Sequence, residues 1–291
     1  MTQELVATII AGGKAKLSLD HIQLLLERTE ATHTEWLASD VAADLFYETG
    51  DAAAIQLELK KNLDELQCDV IVQPAQNRRK KFLIADMEST IIEQEMLDEL
   101  ADMIGLRGKV SDITSRAMNG ELDFAAALRE RVALLRGQPV SLLDEVAKRI
   151  AYMPGAAELV ATMKKNNAQC WLVSGGFTCF VEPVARHLGF DKFYANELLI
   201  EDGKIAGLVA EPILDKTAKK TALERACAEL LVSLNETMAV GDGANDVPML
   251  SACLMGEGLG VAYHAKPNVR AVIPQQINYS DLTALIYAQG L

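Results

Sequence analysis

From residue 82 onward one unit recurs in the chain: a short apolar run that stops at a polar turn, followed by a stretch with helical spacing. Phe82–Ala85 stops at Asp86, Cys170–Val173 at Ser174, and Thr237–Val240 at Gly241-Asp242. Helical patterns lie near 91–104, 181–188 and 218–231, and short strand–helix units continue to residue 291. Strands separated by helices pair most economically as a parallel sheet with helices on both faces. The expected fold is therefore α/β, a Rossmann-like doubly wound parallel sheet. Ligands of such sheets bind beyond the carboxyl ends of the strands, so the polar stops are where chemistry should be sought.

Two segments depart from the repeat. Residues 105–152 carry only helical patterns, at Ser111–Met118, Phe124–Leu135 and Ser141–Ile150, which reads as an inserted helical cap. Residues 1–75 follow a different order. A strand at Leu5–Ile10 precedes a helix capped by Ser18, then strands at Thr34–Ala38 and Ala42–Tyr47. A helix through Ile55, Leu59 and Leu63 and a strand at Cys68–Val72 follow. The order βαββαβ predicts a small α+β domain of the split-βαβ, ferredoxin-like kind. Gln73–Lys81, with Pro74 and the run Arg78-Arg79-Lys80-Lys81, reads as a solvated linker, phosphate attraction being the alternative. An Asp-Gly hairpin is expected at 202–203, and Pro154-Gly155 marks re-entry into a helix.

The net charge of −13 disfavours nucleic acid and anionic membranes as partners. An acidic protein that binds a small anion must reverse the field locally, with basic residues or a metal. The five cysteines are scattered and form no Cys-x-x-Cys pair, which argues against disulfides and zinc and for a reducing cytoplasm. No signal-like segment is visible, and no run approaches the roughly 18 apolar residues of a membrane span.

Four polar clusters fall at or near strand ends. Asp86-Met87-Glu88-Ser89-Thr90 offers one carboxylate to attack phosphorus and a second to move the proton of the leaving oxygen and of water. Ser174-Gly175-Gly176 supplies a hydroxyl and unhindered N–H groups, as a phosphate cradle does, although a tight turn reads the same way. Of Lys216, Lys219 and Lys220, one could oppose a phosphate while the others are solvated. Gly241-Asp242-Gly243-Ala244-Asn245-Asp246 places two carboxylates and an amide on a glycine-rich turn, a donor set for a hard cation such as Mg²⁺. Together they address the charge of a transferring phosphoryl group.

On these four motifs the chain resembles the haloacid dehalogenase superfamily of phosphatases, and within it the branch that acts on phosphoserine. The resemblance covers roughly 80–291, implying a phosphatase domain over 76–291 with its cap at about 105–152. More loosely, residues 1–75 resemble the ACT-like amino-acid-binding domain attached to some members. It implies Asp86 as nucleophile, Glu88 at the general acid/base position, and Lys219, Ser174, Gly175 and Asn245 on the phosphate. Mg²⁺ would be held by Asp86, the Glu88 carbonyl and Asp242, with Asp246 behind or through water. In the cap segment Ala117–Leu135 the resemblance assigns Arg131 to a substrate carboxylate, and Met118 and Phe124 to closure over the ligand. Glu95 would take the ammonium group. Without the family, Arg131 reads as a surface arginine, Phe124 as a core residue and Glu95 as an exposed acid.

The implied activity is hydrolysis of O-phospho-L-serine through an aspartyl phosphate, the last step of serine biosynthesis. The partners are then a small phosphorylated amino acid, an amino-acid effector on residues 1–75, and a second copy in a homodimer. One residue departs from the motif: Glu88 stands where the family has aspartate. Its carbonyl is unaltered, but its carboxyl is displaced by one methylene, and a misplacement of about 1 Å can cost about 10²-fold in rate. Two alternatives follow: a phosphatase or phosphotransferase for another small phosphorylated amino acid, and a phosphoserine-binding protein with impaired catalysis.

Overall fold

The computed structural model describes residues 4–63, 65–118 and 121–291, with the side chains of Met118 and Lys216 outside the description. The N-terminal unit runs β1 (Leu5–Ala11), α1 (Leu19–Arg28), β2 (His33–Ala38), β3 (Ala42–Tyr47), α2 (Ala52–Asn62) and β4 (Cys68–Pro74). Its strands form an antiparallel sheet in the order β2-β3-β1-β4. Ser18 starts α1 as expected: its hydroxyl accepts the His21 N–H, while His21 Nδ1 accepts the Ser18 N–H. Leu5, Ala7 and Ile9 pack under α1 and α2 with Ile22, Leu25 and Leu59. Ile10 and Ile71 point the other way, into the core of the second unit. Burial on both faces explains why β1 reads Leu-Val-Ala-Thr-Ile-Ile with no polar alternation.

The second unit begins with β5 (Phe82–Ala85), α3 (Met96–Met103), α4 (Arg107–Met118), α5 (Phe124–Ala133), α6 (Ser141–Ala147) and α7 (Ala156–Lys165). It continues with β6 (Gln169–Phe177), α8 (Thr178–Leu188), β7 (Lys192–Asn196), the hairpin β8 (Leu198–Glu201) and β9 (Lys204–Val209), and α9 (Lys216–Leu230). A 3₁₀ turn at Leu234–Glu236 leads into β10 (Thr237–Gly241), α10 (Val247–Met255), β11 (Leu259–Tyr263), α11 (Pro267–Arg270), β12 (Gln276–Ile277) and α12 (Ala284–Tyr287).

The large sheet is parallel, in the order β12-β11-β10-β5-β6-β7. From β5 the chain winds outward to β7, then returns to lay β10 on the other flank of β5. The winding direction therefore reverses between β5 and β10, where a doubly wound sheet opens its ligand crevice. Leu83 and Ala85 of β5 face one core, and Phe82 and Ile84 face the other, so helices cover both faces.

The helices α4, α5 and α6 form the cap. The chain enters and leaves it side by side, Glu93 N–H donating to Ala151 O and Met153 N–H to Ile91 O, both at 2.9 Å. The hairpin turns at Asp202-Gly203 as expected and also joins the cap, with Gly137 N–H donating to Ile205 O and Ile205 N–H to Gln138 O. A Cβ on Gly207 would fall 2.7 Å from Arg136 Cβ, so only glycine lets β9 lie this close.

Three expectations are corrected. The helix expected near 91–104 starts only at Met96; Ile91 and Ile92 are apolar because they are buried in a loop, where Met87 O accepts both of their N–H groups. The first cap helix starts at Arg107 rather than Ser111. The basic run is not a solvated linker: Arg78 and Lys80 are bonded within the protein. Arg78 is clasped by the buried Asp44 at 2.8 Å, and the buried Lys80 ammonium donates to the carbonyls of Asn77 and Asn235. Only Arg79 and Lys81 of the four are exposed.

Arg78 belongs to a polar seam joining the two units. Asp69 accepts the N–H groups of Asn278, Tyr279 and Ser280 at 2.7, 3.2 and 2.8 Å. The Gln275 amide donates to Val72 O, the Gln56 amide to Val70 O and Pro274 O, and the Gln73 amide to Ala288 O.

Candidate active site

Asp86 N–H donates to Val240 O, which carries the β5–β10 pairing one residue past the strand and fixes Asp86 at the crevice. Its Oδ1 accepts the Met87 N–H and the Lys219 ammonium, both at 2.7 Å. Lys219 reaches it from the first turn of α9, which Asp215 caps by accepting the Thr217 N–H. The same ammonium, 3% exposed, bonds Asp246 Oδ1 at 2.5 Å. Lys220, by contrast, pairs with Glu224 at the surface. Asp246 Oδ2 accepts the Gly243 N–H, and a Cβ on Gly241 would lie 2.4 Å from the Asp246 carboxyl carbon, so the turn requires glycine there. Asp242 lies beside them, buried, with the Lys266 ammonium at 3.4 Å.

Asp86, Asp242 and Asp246 each bring a carboxylate oxygen within 4.8 Å of the others. Burial pushes Asp86 well above the ordinary carboxylate range; Asp246 and Asp242 add to this, and Lys219 opposes it. Asp242 is pushed up to about 6 by burial, with Lys266 opposing and Asp246 and Glu95 adding. Burial works against the Lys219 ammonium, but Asp246 and Asp86 outweigh it, so it holds its proton more firmly than a free lysine. In this cluster three carboxyl groups thus face two ammonium groups. All its donors are hard carboxylate oxygens, which suits a hard divalent cation.

Across the crevice, β6 does not stop at Val173; it runs on through Ser174-Gly175-Gly176 with a shift of register. Ser174 Oγ accepts the Gly176 N–H at 2.9 Å. At the end of β7, the buried Asn196 donates from Nδ2 to Gly175 O and accepts the Leu214 N–H at Oδ1, both at 2.8 Å. Phe124, first residue of α5, places its ring 3.2 Å from where a Gly175 Cβ would be. Phe124, Ser174, Gly175, Lys219 and Asn245 thus line one cleft.

Glu88 lies beside the turn that lines this cleft, next to Gly176. Its Oε1 accepts the Met96 N–H at 2.9 Å, at the start of α3, and both carboxyl oxygens stand 3.1 Å from a Cβ position on Gly176. Burial, reinforced by Glu95, pushes its carboxyl up to about 8 against the pull of the Met96 N–H, Lys219 and Arg131. Glu95 accepts the Ser89 hydroxyl at 2.9 Å and acts electrostatically on both Glu88 and Asp242. Arg131 is half-buried, not a surface arginine. Burial lowers its hold on its proton, while Asp98, Glu88 and Glu95 support its charge. The Met118 side chain lies outside the described part.

Two neighbours of the site were not among the expected residues. Lys266 follows the apolar run Leu259–Tyr263, and the strand-end rule applied there would have found it. Asn196 ends a strand, Lys-Phe-Tyr-Ala-Asn, with no apolar run to announce it.

A family model for haloacid dehalogenase-like hydrolases matches residues 83–251. A phosphoserine phosphatase of Mycobacterium tuberculosis is 38% identical over 244 residues, covering 83% of this chain and 59% of that protein. The chain thus spans less than two thirds of that relative's length. A probable phosphoserine phosphatase of Schizosaccharomyces pombe is 36% identical over 98% of this chain and 95% of its own. Among solved structures, a HAD-family hydrolase from Salmonella enterica serovar Typhi superposes with a TM-score of 0.86 at 27% identity, over 98% of each chain. A substrate-bound phosphoserine phosphatase superposes with a TM-score of 0.65 at 34% identity, over 72% of this chain and 98% of its own.

Proposed function

The chain belongs to the haloacid dehalogenase-like hydrolases, and on that premise we propose that it hydrolyses O-phospho-L-serine to L-serine and phosphate, with Asp86 as covalent nucleophile. The observation that carries this is the convergence of Asp86, Lys219 and the Ser174-Gly175 cradle on one crevice, under a cap helix that brings Phe124 and Arg131. Asp86 Oδ1 is committed to Lys219 and the Met87 N–H, which leaves Oδ2 to attack phosphorus. As the P–O ester bond breaks, Glu88, whose neutral form burial favours, gives its proton to the serine oxygen. The aspartyl phosphate is then opened by water, whose proton returns to Glu88. Lys219, Ser174, Gly175 and Asn245 hold the phosphoryl oxygens throughout. Arg131 grips the carboxylate as a planar fork does, Glu95 takes the ammonium group, and Phe124 closes the top.

The carboxylates of Asp86, Asp242 and Asp246 suit Mg²⁺; Asp86, Asp242 and the Glu88 carbonyl would hold it, with Asp246 behind or through water, and when bound it supplies positive charge against the phosphate dianion. This activity would serve the last step of serine biosynthesis in the cytoplasm. A homodimer and an amino-acid effector on residues 1–75 belong to the same proposal, and sedimentation with and without serine tests both.

Phosphate release from O-phospho-L-serine, measured with and without Mg²⁺ beside an Asp86→Asn variant, is the test of the main reading. Equal rates on phosphate esters lacking the carboxylate and ammonium would move it toward another small phosphorylated amino acid or a general phosphatase. Glu88 favours one further reading, a phosphoserine-binding protein with weak turnover, because its carboxyl is engaged as a cap on α3. Saturable phosphoserine binding without phosphate release would select that reading.

A further inference from the structure

Resting on the phosphoserine reading, we propose that Arg129 and Glu211 form a positioning pair that holds α5 over the phosphate cradle and so sets the preference for substrates bearing a carboxylate and an ammonium group. Arg129 Nη2 and Nε both donate to Glu211 Oε1, at 2.6 and 3.2 Å. Glu211 lies just past β9, outside the cap helices, and its Oε2 accepts the Ile213 N–H at 3.2 Å. The next residue, Leu214, donates its N–H to Asn196, and Asn196 donates to the Gly175 carbonyl. One further on, Asp215 caps the helix that carries Lys219.

A path of hydrogen bonds and two short backbone steps thus joins a cap arginine to the cradle and to Asp215, which caps the helix carrying Lys219. Arg129 sits two residues before Arg131, on the helix whose first residue, Phe124, overlies Gly175. Other ion pairs between cap and core, Arg149 with Glu99 and Asp102 and Arg107 with Asp102, lie at α3, where the chain enters and leaves the cap. The Arg129–Glu211 pair is at the opposite, cradle side, where a small tilt of α5 displaces Arg131 and Phe124. The pair is solvent-facing, with side chains 54% and 59% exposed, so its contribution is to alignment and is modest in size.

The test compares hydrolysis of O-phospho-L-serine with that of p-nitrophenyl phosphate, which offers α5 nothing to grip. It uses the full chain carrying Arg129→Gln, Glu211→Gln, or the exchange Arg129→Glu with Glu211→Arg. Either single change is expected to raise KM for phosphoserine about 1.5- to 5-fold, the range an exposed pair supports. Its kcat and both constants for the aryl phosphate should stay unchanged, and the exchange should recover most of the loss. Equal effects on both substrates, no effect, or an exchange no better than the single changes would overturn the proposal. Hydrogen exchange at the Ile213 and Leu214 amides decides independently of turnover. It should quicken in Arg129→Gln, and an unaltered rate refutes the pair's role. If the unmodified chain cleaves the aryl phosphate but not phosphoserine, the substrate assignment fails, while the exchange rates still judge the pair.

Discussion

Two regions of this molecule bury carboxylates, and they treat them oppositely. In the seam between the units, Asp44 is clasped by Arg78, and Asp69 accepts three backbone N–H groups. Every charge there has its complement within the protein. In the crevice, Asp86, Asp242 and Asp246 stand within 4.8 Å of one another, with one ammonium bridging two of them and a second beside the third. Burial and mutual repulsion raise the proton affinity of Asp86 and Asp242. The seam's acids are satisfied within the fold, whereas those of the crevice are held against like charge. Composition alone cannot tell these apart, because both regions use aspartate beside a basic residue.

The contrast can be tested by removing members of each region. The largest effect should come from Asp86→Asn, which is expected to lower kcat on the order of 10⁶-fold, as loss of an enzymatic nucleophile does, while the melting temperature holds or rises. Substantial turnover with asparagine would break the assignment. Arg78→Ala should do the reverse: about 3–5 kcal/mol of stability lost by chemical denaturation, since it strands Asp44, with the KM of the remaining folded enzyme little changed. Glu88→Asp should raise phosphoserine turnover, by up to about 10²-fold; equal or lower activity would show that the longer side chain suits this crevice.

A pH effect should appear in the seam's neighbour Lys80, whose ammonium burial pushes down to about 8. The unfolded chain keeps this proton to higher pH than the folded chain. Its contribution to stability therefore rises with pH between about 8 and 10.5. The stability difference between the unmodified chain and Lys80→Met, followed by urea denaturation at pH 7.5 and 10, should shift in favour of the unmodified chain. The smallest effect is expected in the crevice without metal: Asp242→Asn should stabilise chelated protein by about 1 kcal/mol through relief of repulsion. On the proposed Mg²⁺ site, added Mg²⁺ should stabilise the unmodified chain and not the variant.

What was legible in the chain follows from how local each signal is. The strand Phe82–Ala85, its polar stop and the glycine-rich turn after β10 are decided by a few adjacent residues, and each stands where it was expected. The capping of α1 by Ser18 is equally local. Ile91 and Ile92 misled because a buried loop and a helix both demand apolar residues, and a short run does not separate them. Arg78 and Lys80 misled for a deeper reason: their partners Asp44 and Asn235 are 34 and 155 residues away, and nothing in a local window distinguishes a solvated basic run from one folded into a seam. Asn196 was invisible because its work, holding a cradle carbonyl and a loop amide at once, depends on two other segments meeting it.

The seam also bears on how the chain is made. Arg78 bonds the Tyr287 carbonyl, and Gln73 bonds Ala288, 215 residues further along. At about 5–20 residues per second of synthesis, the partners of the first sheet are added on the order of 10–40 s after that sheet is complete. During that interval Asp44 already has Arg78, but Ile10, Ile71 and Asp69 on the outward side of the sheet lack the late partners that cover them. The β1–β4 unit is thus left half-covered for that interval, and β12 and α12 are the elements that close over it.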